Sequence, residues 1–138
     1  MRELPRQLTR EELEGLFSGP SLLVDLLADV DDPLGRAEDI ALSLDERDKA
    51  EALATHPRIG EPAPEQRGDD PAVITELAYL NQVYEEKFGF RFVVFVNRRS
   101  RADLLPVLRE RLERTHEEEL ETGIGELIAI AKDRWQQH

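Results

Sequence analysis

The residues able to move a proton near neutral pH are few. The chain has three histidines, His56, His116 and His138, and no cysteine. Thiol nucleophiles, disulfides and thiolate metal sites are therefore excluded. His138 is terminal and His116 opens a Glu-rich stretch, which reads as solvated in both cases. His56 differs, because it ends an apolar helical pattern and begins the turn His56-Pro57-Arg58-Ile59-Gly60. Proline disfavours helical geometry at the residue before it, so the helix stops there. A helix C-terminus favours a charged imidazole, which would tune His56 for proton transfer. The plainer reading is a histidine that caps the helix by bonding its last carbonyls. On the residues alone both readings stand. No second histidine sits at ligand spacing, so a metal site is not expected. No Gly-rich phosphate loop and no G-x-S-x-G turn is present.

The elements that must position His56 read as helices. Thr9 and Glu12 have the spacing of a capping box, ahead of the apolar stripe Leu13, Leu16, Phe17. Gly19-Pro20 breaks that helix and Ser21 caps a second through Leu27. Asp31-Asp32-Pro33 starts a third, carrying Leu34, Ala37, Ile40 and Ala41. Ser43-Leu44-Asp45-Glu46 starts a fourth, which runs through Leu53 into His56. Residues 61–71 hold three prolines and Gly68, and read as a surface loop near the site rather than a domain linker. Ala72 to Lys87 is a helix with a broad apolar face. Phe92 to Val96 is β-rich, yet no second strand is evident to pair with it, so a buried extended segment or short helix is expected. Arg101 to Thr115 and Glu117 to Gln136 are the last helices, with Gly123 and Gly125 weakening the latter or permitting close packing. The fold expected is all-α, a single-domain bundle of about seven helices over residues 1–138.

Length and charge fit this reading. The 138 residues suffice for one core, and the formal net charge of -12 repels nucleic acid and anionic membranes. A local basic pocket for a small anion remains compatible with that total. No apolar run approaches the roughly 20 residues that cross a bilayer. The polar first ten residues are no signal peptide, and the cytoplasm is the expected setting.

The His56-Pro57-Arg58-Ile59-Gly60 turn is followed by Asn81, Tyr84 and Lys87-Phe88-Gly89-Phe90-Arg91-Phe92. Further on come Arg99-Ser100, Arg111-Leu112 and Ile130-Ala131-Lys132-Asp133-Arg134-Trp135. In this order the motifs resemble the OHCU decarboxylases, which act on 2-oxo-4-hydroxy-4-carboxy-5-ureidoimidazoline in urate breakdown. The resemblance covers nearly the whole chain. It implies an all-α enzyme without cofactor or metal that removes CO2 from a small anionic heterocycle to give S-allantoin. By motif match His56 is the acid–base residue and Arg134 the substrate clamp. An arginine fork suits a planar anion because it donates two parallel hydrogen bonds. The resemblance also places Pro57, Gln66, Phe90, Phe92 and Val93 at the substrate, the last three within a segment, Gly89 to Val94, that offers backbone groups. It allows a homodimer.

Two departures stand out. The family carries a Ser-x-x-Glu-Gln-x-x-Gly helix between the motifs, whose glutamate pairs with the histidine. Here the only Glu-Gln pair is Glu65-Gln66, nine positions after His56, with Pro62 where the serine would be. Either Glu65 is the catalytic acid on a shortened loop, or the helix is deleted and the pair is coincidental. Arg91 stands where the family has proline, adding a positive charge beside the pocket. The readings in competition are a decarboxylase, a binding module on the same scaffold that has lost catalysis, and an unrelated acidic helical adaptor. The adaptor separates from the other two on whether the His56 and Arg134 side chains face one cavity, and the binding module separates from the decarboxylase on turnover.

Overall fold

The computed structural model describes residues 2–59 and 70–137, and within them the chain is all-α. Seven helices are formed: α1 (Arg10–Phe17), α2 (Leu22–Leu27), α3 (Pro33–Leu42), α4 (Glu46–Ala54), α5 (Pro71–Phe88), α6 (Arg101–Leu112) and α7 (His116–Gln137). Their starts follow local side-chain chemistry. Thr9 and Glu12 complete a capping box, and the side chains of Ser21, Asp45 and Asp70 each accept a backbone N–H of the first turn they precede. Ser100 and Asp103 form a second capping box on α6, which tolerates Pro106 in its interior. Gly89 ends α5 at φ 80°, a left-handed conformation that costs glycine nothing.

The central element is α7, which packs against α1, α3 and α4, while α5 pairs with α6. Its inward residues Leu120, Ile124, Leu127, Ile128 and Ala131 are buried among Leu13, Phe17, Leu34, Leu53 and Leu77 of the one core. At Gly123 a Cβ would lie 3.3 Å from the Leu53 methyls, so this glycine sets how closely α7 approaches α4. A Cβ at Gly125 would meet nothing within 4 Å, so packing gives no reason for a glycine there. Among the described residues no helix is long and apolar enough to cross a membrane.

The core also holds a charged knot. Glu119 is fully buried, and its carboxylate accepts from Arg111 Nε at 2.7 Å, Tyr84 hydroxyl at 2.7 Å and Arg114 Nη1 at 3.1 Å. Burial and the bond to Glu119 push the Tyr84 phenol far up, so it stays a donor. Arg111 Nη1 donates to the Val93 carbonyl at 2.7 Å, and its guanidinium lies 4.5 Å from the Phe92 ring centre. Phe92 to Val96 forms no regular element, and Phe92, Val93 and Val94 are buried. Of the two expected forms the short helix is not the one taken, and the irregular segment is held by a side chain where a strand would use a neighbour.

Removing Glu119 strands a buried guanidinium. Glu119→Ala should lower unfolding stability by about 3–5 kcal/mol in urea titration, the usual cost of breaking a buried pair. Arg109→Ala, which removes an exposed ion pair with Glu76, should cost less than about 1 kcal/mol. Equal losses would show that the knot contributes no more than a surface pair.

Candidate active site

Three helix ends converge where His56 lies. Helix α1 ends at Ser18, which adopts a left-handed φ of 70°. Helix α4 ends at Thr55, directly before His56. The last turns of α7 carry Arg134 past both. Each C-terminus leaves carbonyls without intrahelical partners and with partial negative charge. Side chains meet them. Thr55 hydroxyl lies 2.8 Å from the Ala52 carbonyl and 2.9 Å from the Phe17 carbonyl, tying α4 to α1. Arg91 Nη1 donates to the carbonyls of Ala54 and His56, both at 2.8 Å. Arg134 Nη1 donates to the Leu16 carbonyl at 3.0 Å and to Ser18 Oγ at 2.6 Å.

The turn after His56 is fastened to α5. Buried Asn81 donates from Nδ2 to the Ile59 carbonyl at 2.9 Å. Arg58 forms a forked pair with Glu85, at 2.7 and 3.1 Å. The conspicuous Asn-x-x-Tyr pattern thus serves two ends: Asn81 fixes the histidine turn and Tyr84 anchors the buried charge.

His56 and Arg134 line one cavity of about 280 Å³, shared with Val94 to Arg98, Ile130, Asp133 and Gln137. Arg134 spends both Nη1 hydrogens on Leu16 and Ser18. Its Nε and Nη2 hydrogens meet no protein acceptor among the described residues, and these form the fork that grips a carboxylate or a pair of oxygens. Among the described lining residues Asp133 is the one carboxylate and Arg98 the second cation.

The charge state of His56 reverses the sequence expectation. Its pKa is lowered to about 4, first by burial and then by the positive charges of Arg134 and Arg91. The helix-end argument fails because Thr55 and Arg91 already satisfy the last α4 carbonyls, and Arg91 brings a full charge to the spot. Nor is the ring a helix cap: Nδ1 lies 3.4 Å from Ser18 Oγ.

The other expected site residues scatter. Pro57 is exposed and lines no part of this cavity. Phe90 and Phe92 pack in the core around Tyr84, at 5.9 and 5.1 Å between ring centres. Val93 is buried, with its carbonyl taken by Arg111. The cavity wall begins one residue later, at Val94. Glu65 and Gln66, with Gly60, lie outside the described residues. His116 is exposed, beside Glu46 and edge-on to Phe90. Ser18, Asn97, Arg98 and Asp133 were not legible as site residues: a serine before Gly-Pro looks like any helix stop.

Comparison with known proteins decides the lineage. The model of the OHCU decarboxylase family matches residues 2–136. The chain belongs to this family. A crystal structure of an OHCU decarboxylase in the presence of (S)-allantoin aligns with a TM-score of 0.76 at 28% identity, over 89% of this chain and 94% of that one. An (S)-allantoin synthase structure shares the fold, with a TM-score of 0.72 at 20% identity, over 93% of this chain and 48% of that one. The uric acid degradation bifunctional protein TTL of Arabidopsis thaliana is 32% identical over 63% of this chain, which spans 32% of that protein. The uric acid degradation bifunctional protein of Bacillus sp. (strain TB-90) is 36% identical over 44% of this chain, 12% of that protein. The chain thus spans a third or less of these bifunctional relatives. The family is one of carboxy-lyases in urate degradation.

A family member with a neutral histidine carries a distinct pH signature. By NMR the His56 imidazole should titrate near 4, and Arg134→Met should move it toward its ordinary 6.5. Because the unfolded chain binds this proton first, stability should fall as pH drops from about 6.5 to 4. His56→Ala should remove that part of the pH dependence. A wild-type titration at 6.5 or above would contradict the arrangement.

Proposed function

We propose that this OHCU decarboxylase homologue converts 2-oxo-4-hydroxy-4-carboxy-5-ureidoimidazoline to S-allantoin without a cofactor. The observation that carries the reading is the shared cavity: His56 and Arg134, matched independently by motif, line one space. Its volume lies just below the usual range for small-molecule sites, about 300–1,000 Å³, which suits a single heterocycle.

The chemistry asks little of the protein. As the C–C bond breaks, CO2 departs and the electron pair left behind enters the ring, whose C=N accepts it. Negative charge therefore moves from the carboxylate onto ring atoms. A guanidinium set against those atoms is held more tightly in the transition state than in the ground state, which is what accelerates a reaction. The product forms when the ring nitrogen that received the pair takes a proton from solvent, the hydroxyl gives up its proton, its C–O becoming a carbonyl, and a proton adds to the neighbouring ring carbon. Addition to one face gives the S isomer. His56 is the acid–base group for these transfers, and it enters them as a neutral imidazole.

A second reading is a ligand-binding relative without turnover. It is favoured by one observation: among the described residues, Ser18 is the only side chain hydrogen-bonded to His56, and no carboxylate is. Freshly generated substrate, followed by circular dichroism for S-allantoin, separates the two. Turnover should exceed buffer, and His56→Ala should reduce it about 100- to 10,000-fold. A comparable loss in Glu65→Gln would support Glu65 as the partner acid. Saturable allantoin binding with no turnover would establish the binding module instead. The same reading carries a cytoplasmic setting and a homodimer. Sedimentation velocity tests the dimer, and a monomer at micromolar concentration would overturn it.

A further inference from the structure

Ser18 stands between the two site residues, and neither the motifs nor the proposed reaction uses it. Its backbone is left-handed although it is not glycine, a conformation most side chains avoid. Gly19 follows immediately and would have suited the position. Such a conformation persists only where surroundings over-determine it. Here they do: the carbonyls of the two residues directly before it are fixed, Leu16 by Arg134 and Phe17 by Thr55.

The hydrogen bonds have a forced direction. A guanidinium only donates, so at 2.6 Å from Arg134 Nη1 the Ser18 oxygen is the acceptor. The hydroxyl hydrogen is then still to be placed. His56 Nδ1, at 3.4 Å, is the remaining hydrogen-bond partner of that oxygen among the described residues. The reverse arrangement, with Nδ1–H donating, would give Ser18 Oγ two incoming hydrogens and leave its own hydrogen without a described acceptor. A neutral ring carries one donor and one acceptor nitrogen, so an occupied Nδ1 lone pair puts the proton on Nε2.

We propose that Ser18 is a positioning residue that accepts from Arg134 and donates to His56 Nδ1, holding the resting imidazole in its Nε2–H tautomer. The arginine clamp thereby reaches the histidine through one hydroxyl. The ring meets a ligand in the cavity as a neutral hydrogen-bond donor. The 3.4 Å separation is long, as such bonds often are before a ligand is bound. The inference rests on the decarboxylase reading only for its catalytic meaning, since the tautomer is a property of the free protein.

Long-range ¹H–¹⁵N correlation of the imidazoles at pH 7, without ligand, tests it directly. Wild type should show a single Nε2–H form at His56. Ser18→Gly and Ser18→Ala should both bring the two nitrogen shifts toward an averaged pair. The two variants act oppositely on the backbone, because glycine relaxes the left-handed turn and alanine keeps its strain. A common effect is therefore the hydroxyl's. An Nδ1–H form in wild type, unchanged shifts in both variants, or a change in Ser18→Ala alone would overturn the proposal. None of these outcomes depends on whether the protein turns over substrate.

Discussion

The structure depends on one buried carboxylate. Glu119 sits at the start of the central helix with three donors around it, from α5, α6 and the connection into α7. An ionised group without them would cost several kcal/mol to bury. Two of the donors, Arg111 and Tyr84, are buried as well, so solvent does not replace their acceptor. Through Arg111 the same group reaches the Val93 carbonyl and so holds the unpaired segment that becomes the cavity wall at Val94. Apolar packing would hold α7 in the bundle without this knot. What the knot adds is registration of an irregular stretch that has neither helix nor sheet to fix it.

The site itself has the opposite construction. It is assembled from helix ends, where backbone carbonyls gather, and two arginines are drawn to them. In a chain of net charge -12, these carbonyls hold positive charge in a small volume, with no acidic side chain among the described residues as partner. Arg91 illustrates the point. Its position belongs to proline in the family pattern, yet here it bridges Ala54 and His56. The substitution thus changes both the fastening of the turn and the potential at the imidazole.

Much of this was legible in the sequence because it is local. Thr9, Ser21 and Asp45 cap helices as their spacing implies, and the apolar stripe of the last helix faces the core. The ordered motifs located His56 and Arg134, and the structure sets them on one cavity. What was not legible is long-range. The Glu- and Arg-rich pattern of the last two helices reads as a solvated face, yet Glu119 and Arg111 are interior. Only the crossing of α5, α6 and α7 selects them from many similar residues. The neutral state of His56 was likewise hidden, since it depends first on burial and then on Arg134 and Arg91 arriving from 35 or more residues away. Phe90 and Phe92 stand in the right motif but turn their rings to Tyr84, because that segment's apolar side chains are needed inside.

Gly123 has a consequence for the site although it lies in none of its walls. It lets α7 rest on Leu53 of α4, three residues before His56, while Arg134 follows eleven residues further along the same α7. The gap between imidazole and guanidinium is therefore a packing distance between two rods, with residue 123 as the shim. A methyl group there would act as a wedge, opening the jaws of the site without altering a single tooth. The aperture for ligand is thus written in a position that inspection of the pocket alone would pass over.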